Sequence, residues 1–128
     1  MKQSYEEKIA ELRDRFVRNA DKRLASMTQL ADEAMAGSGS ALSDLHRQLH
    51  DMGGNAMMLS FEQIGLIART GQEFVSSVEK NGQVAEIAEL TGVFEELSDA
   101  IAQARQELGV NGSATGNDGS AGLRADDS

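Results

Sequence analysis

Apolar residues recur at three- and four-residue steps over most of positions 5–108, with polar residues filling the intervening turns. That spacing puts the apolar side chains on one face of a 3.6-residue helix. The first stripe joins Tyr5, Ile9, Leu12, Phe16, Ala20, Leu24, Met27, Ala31 and Ala34 and predicts a helix over residues 4–35. Ser4 and Glu7 open it at capping-box spacing. Its length leaves room for a kink or break around residues 19–22. Gly37-Ser38-Gly39-Ser40 then reads as a turn. The second stripe is Leu42, Leu45, Leu49, Met52, Ala56 and Leu59. Ser60, with Gln63 three residues on, has the spacing of a cap for a third helix carrying Ile64, Ile67, Phe74, Val75 and Val78 and ending near Asn81-Gly82. The fourth stripe, Val84, Ile87, Leu90, Phe94, Leu97, Ile101, Ala104 and Leu108, stops at Gly109, a suitable residue to end a helix.

Four amphipathic helices joined by short loops predict an all-α fold, an antiparallel up-down four-helix bundle over residues 1–108 with a long N-terminal helical region. The absence of Pro and the abundance of good helix formers agree with it. From Gly109 to Ser128 the composition shifts to Gly, Ser, Asn and Asp, which predicts a flexible, disordered C-terminal tail. Four helices can close one core, so a monomer is expected.

Charge and cysteine content narrow the chemistry. The chain has a formal net charge of -9; the tail contributes Asp118, Asp126 and Asp127 against Arg124, which leaves -7 on residues 1–108. An acidic chain without a basic patch is poorly suited to the phosphate backbone of nucleic acid. With no Cys, disulfides, thiolate catalysis and Cys-based zinc sites are excluded. The first residues lack the apolar run of a signal peptide, and no stretch is apolar enough to span a membrane. A cytoplasmic protein is expected.

The second helix carries the candidate chemistry. It places His46 and His50 one turn apart and follows the second with Gly53 and Gly54. Glycine costs a helix interior roughly 1 kcal/mol relative to Ala, so bare backbone beside an imidazole suggests that something large approaches. With the apolar stripe as the buried face, His50 lies roughly 130° from its centre, toward solvent, and His46 roughly 90°, at the boundary. Gly54 is one turn beyond His50 on the same side, flanked by Met57, while Gly53 falls nearer the core. An exposed neutral imidazole offers an unprotonated nitrogen to an acyl phosphate. Phosphoryl transfer asks mostly for positioning and charge stabilisation, which a docked partner can supply.

His50-Asp51-Met52-Gly53-Gly54 resembles the His-x-x-Lys-Gly signature of histidine phosphotransfer (HPt) domains, helical bundles that shuttle phosphoryl groups between receiver domains. Arg47 before the histidine, Asn55-Ala56 after the glycines, Leu59-Ser60-Phe61 where the family often has Leu-Gly-small, and Ile64 and Glu73 downstream extend the resemblance. It implies a relay between response-regulator receiver domains through phosphohistidine at His50, with a hybrid sensor kinase as a further partner. It also implies no resident cofactor, magnesium being carried by the receiver. No kinase activity of its own is expected, because the chain has neither a nucleotide-binding motif nor room for an ATP-binding domain. Gly53 stands where the family usually has Lys, and Ser60 where it has a second Gly. Arg47, or Arg69 from the next helix, is a candidate to supply the missing charge.

Other readings of these residues stay open at this stage. His46 and His50 at i, i+4 have metal-pair spacing, although no third ligand is indicated and none is expected. His46 could itself be the acceptor, but the position one turn after it holds His50 and not a glycine. Gly54 could mark a helix crossing rather than a docking notch, and one of Met57 and Met58 could fill the core. The alternative function is a non-catalytic helical adaptor that binds receiver domains without accepting phosphate.

Overall fold

The computed structural model of the chain describes residues 4–109. Four α-helices follow one another: α1 (Tyr5–Met35), α2 (Gly39–Met58), α3 (Glu62–Asn81) and α4 (Leu90–Leu108). Helix α1 packs on α2 and α4, and α3 packs on the same two, so the four close a ring around one core. Apart from Gly109, the predicted tail lies outside the described residues.

The predicted stripes become the core. Leu45, Leu49 and Met52 of α2 are fully buried against Met27, Val75, Leu97 and Ile101 of the shared core cluster. Each such side chain contributes about 1.5–3 kcal/mol by leaving water. Helix α1 begins as its sequence predicts: Ser4 accepts from the Glu7 backbone, and Glu7 returns the bond to the Ser4 N–H at 3.0 Å. It runs on without interruption through residues 19–22, where its length leaves room for a kink or break. Its first turns overhang the bundle, leaving Tyr5 79 % exposed, and burial starts only at Phe16.

Two expected boundaries need correction. Val84–Glu89 forms a separate 3-10 turn before α4, although the apolar stripe runs through both segments. Ser60 does not cap α3. It sits at φ +67°, and Phe61 precedes α3 without any side-chain cap. The backbone explains why. The Phe61 N–H bonds the Ala56 carbonyl at 2.7 Å and the Ser60 N–H bonds that of Met57 at 3.1 Å, a pair of bonds that closes α2 as a Schellman motif. Its penultimate residue must be left-handed, the conformation for which glycine is suited. The turn is held from α1, where Arg13 Nε donates to the Leu59 carbonyl at 2.9 Å and its guanidinium covers the Phe61 ring. Phe61 in turn stacks on Phe16 with centroids 5.3 Å apart.

Helix α3 meets α2 through small residues that the apolar pattern does not mark: Gly65, Ala68 and Gly71 are all buried. A Cβ on Gly71 would lie 3.1 Å from Val93 Cγ1 and 3.3 Å from a Leu49 methyl.

Two outcomes are expected. Ser60→Gly should raise stability by about 0.5–1 kcal/mol, relief of the left-handed strain exceeding glycine's entropy cost; an unchanged or lower melting temperature would contradict this reading of the turn. Gly71→Val should cost about 1–3 kcal/mol by overpacking the seam, read by denaturant unfolding; a variant as stable as the parent would show that the seam has spare room.

Candidate phosphotransfer site

The two histidines of α2 differ in what their rings do. His46, at the edge of the bundle, is engaged on both nitrogens. Its Nδ1 lies 2.7 Å from Glu79 Oε1 and its Nε2 lies 3.4 Å from the Gln72 side-chain nitrogen. A carboxylate only accepts, so Nδ1 carries the proton and donates, which leaves Nε2 to accept from the amide. His50 is exposed, and among the described residues no hydrogen bond or ion pair reaches its ring. Of the two, only His50 offers a nitrogen lone pair to something arriving from solvent.

What surrounds His50 follows from the glycines. A Cβ at Gly54 would meet nothing within 4 Å, so this position opens outward and is no helix crossing. Gly53 faces α3 instead. A Cβ there would rest 3.6 Å from Ala68 Cβ and from the Gly65 carbonyl, and 3.9 Å from the Arg69 backbone nitrogen. These are ordinary contacts, so packing with α3 would tolerate an alanine at 53. The tight point is Gly65, where a Cβ would overlap the Met57 sulfur and lie 2.7 Å from Met57 Cγ. Between α2 and α3 lies a depression of about 150 Å³, lined by His50, Gly53, Gly54, Met57, Gly65, Leu66, Arg69 and Gln72.

Five of the residues expected at the site therefore come together: His50, Gly53, Gly54, Met57 and Arg69. Arg47 does not join them. It is exposed and pairs with Asp44 at 2.9 Å, one turn back on its own helix. His46 reaches the depression only through Gln72. Met57 is 44 % and Met58 76 % exposed, so neither fills the core. Gln72 and Leu66 were missed by sequence reasoning. Their signal is the spacing Gly65, Leu66, Arg69 and Gln72, one face of α3 once Arg69 is taken as its marker.

On the other side of His50, Arg23 of α1 faces Asp51. Burial lowers the pKa of its guanidinium from arginine's ordinary value, and the Asp51 carboxylate opposes that shift. The same guanidinium lies over the Phe16 ring at 5.7 Å. Among the described residues no group of three or more His, Asp or Glu side chains converges as a metal-ion site, and no helix is long and apolar enough to cross a membrane.

A ring of four helices with an exposed imidazole beside bare backbone is the arrangement that the family comparison bears on. The family model for the Hpt domain matches residues 11–107, which takes in all of α2, α3 and nearly all of α4. The chain belongs to the Hpt domain family. Membership gives it a phosphotransfer-related role in two-component signalling, in which Hpt domains interact with receiver domains and kinases. Neither the curated proteins nor the solved structures gave a match.

Proposed function

We propose that this Hpt domain relays a phosphoryl group between response-regulator receiver domains through His50. The observation that carries this reading is the contrast between the two imidazoles: His46 is bonded to Glu79 and Gln72, while His50 is unengaged on the solvent face. The depression beside His50 and the open backbone at Gly54 give an approaching active-site rim room to bring its phosphoryl group to the ring.

The step is a displacement at phosphorus. The unprotonated ring nitrogen attacks the aspartyl phosphate of the receiver, and the P–N bond forms as the P–O bond to the acyl group breaks. The receiver's carboxylate leaves with the electron pair, and the proton on the other ring nitrogen stays or passes to solvent. Return transfer to a second receiver reverses each of these changes. The magnesium that stabilises the transferring group belongs to the receiver in this account. The Hpt domain contributes a nucleophile held on a rigid helix, which removes much of the orientational cost.

Incubation with a phosphorylated receiver domain tests this. Wild type should take up an acid-labile, base-stable label, and His50→Gln should abolish it while helical content and melting stay unchanged, since the ring makes no contact that the fold needs. His46→Gln should still be labelled. Labelling retained in His50→Gln would overturn the assignment, and receiver binding without any transfer would favour the adaptor reading.

A further inference from the structure

Phosphorylation places a group of charge about -1.5 to -2 on a surface that is already acidic. Such a group is held best by a planar, bidentate guanidinium. The arginines around His50 differ in whether they are free to do this. Arg47 is neutralised by Asp44. Arg23 faces Asp51 and lies over Phe16, half-buried on the α1 side. Arg69 lines the same depression as His50, is exposed, and has no hydrogen bond or ion pair among the described residues. Its backbone nitrogen would lie 3.9 Å from a Cβ at position 53, so the packing of α3 on α2 brings Arg69 next to the bare backbone of Gly53.

We infer that Arg69, reaching across from α3, binds the phosphoryl oxygens as the group arrives on His50. It supplies from the neighbouring helix the positive charge that α2 does not present on this face. The inference rests on His50 as acceptor. It adds a second element to the site: the nucleophile comes from α2 and the charge from α3, and the glycine seam between them fixes their separation. Gln72, one turn further along α3, borders the same depression but is bonded to His46.

The test measures transfer from a phosphorylated receiver domain to wild type, Arg69→Ala, Arg69→Lys and the double variant Gly53→Lys/Arg69→Ala, with receiver binding measured separately. In Arg69→Ala the transfer rate at saturating receiver should fall on the order of ten- to a hundred-fold, with the dissociation constant changed far less. Arg69→Lys should recover part of the rate. Gly53→Lys in the Arg69→Ala background should also recover it, because a chain starting at 53 leads to the same depression. Melting curves of wild type, Arg69→Ala and Arg69→Lys should stay together, since no hydrogen bond or ion pair among the described residues ties Arg69 to the fold. If wild type is labelled at His50 and Arg69→Ala transfers at the parental rate, or loses only affinity, the assignment of Arg69 is wrong and the acceptor stands. If wild type takes no label, the acceptor reading fails and takes the role of Arg69 with it.

Discussion

The close approach of α2 and α3 is the constraint on which the site depends. Gly53 faces the Gly65 carbonyl and Ala68, and Gly71 lies under Leu49, so the two backbones come together where larger residues would hold them apart. Helices in contact usually stand 8–10 Å apart according to the side chains between them. Here small residues stand at the contact on both sides. Two consequences follow at once. The face of α3 that carries Leu66, Arg69 and Gln72 is drawn beside the face of α2 that carries His50, and a depression forms where glycine leaves no side chain. The helix propensity given up at Gly53, Gly65 and Gly71 is set against the burial of Leu45, Leu49 and Met52 in the core.

The hydrogen bonds of the bundle edge then separate two residues that composition makes identical. His46 and His50 are one turn apart on one helix. Glu79 and Gln72, both on α3, satisfy the first ring and leave the second open. The same division runs through the arginines. Asp44 pairs with Arg47, Arg23 is half-buried over Phe16 and near Asp51, and Arg69 lines the depression without an ion pair among the described residues. A chain with a net charge of -9 thus keeps a cation at the depression beside His50. Long-range repulsion is screened beyond about 10 Å at ordinary ionic strength, so the local charge dominates the encounter at the ring.

Much of this was legible in the sequence because helices advertise their buried face. The second stripe, Leu42 to Leu59, is buried throughout, and the outward direction of His50 and Gly54 follows from counting 100° per residue. The ends of α1 and α3 were readable from Ser4, Glu7 and Gly82 for the same reason: capping uses particular side chains and a left-handed glycine. What escaped has physical causes. Gly65, Ala68 and Gly71 carry no apolar signal, since their contribution is the side chain they lack. Ser60 has the composition of a helix start, yet the bonds closing α2 claim it first and make it left-handed. The 3-10 turn at Val84–Glu89 keeps the apolar spacing of the helix after it, so periodicity cannot find the join. Gln72 is a neutral residue whose place beside His50 exists only once α2 and α3 are packed.

The central claim is that His50, and not His46, takes the phosphoryl group. Proton–nitrogen correlation spectra of the two imidazoles in the intact chain, recorded before and after exposure to a phosphorylated receiver domain, test it most directly. The account predicts that the His50 ring resonances move to those of a phosphoimidazole while the His46 ring keeps the signature of its bond to Glu79. A phosphoimidazole signal at His46 with His50 unchanged would contradict it.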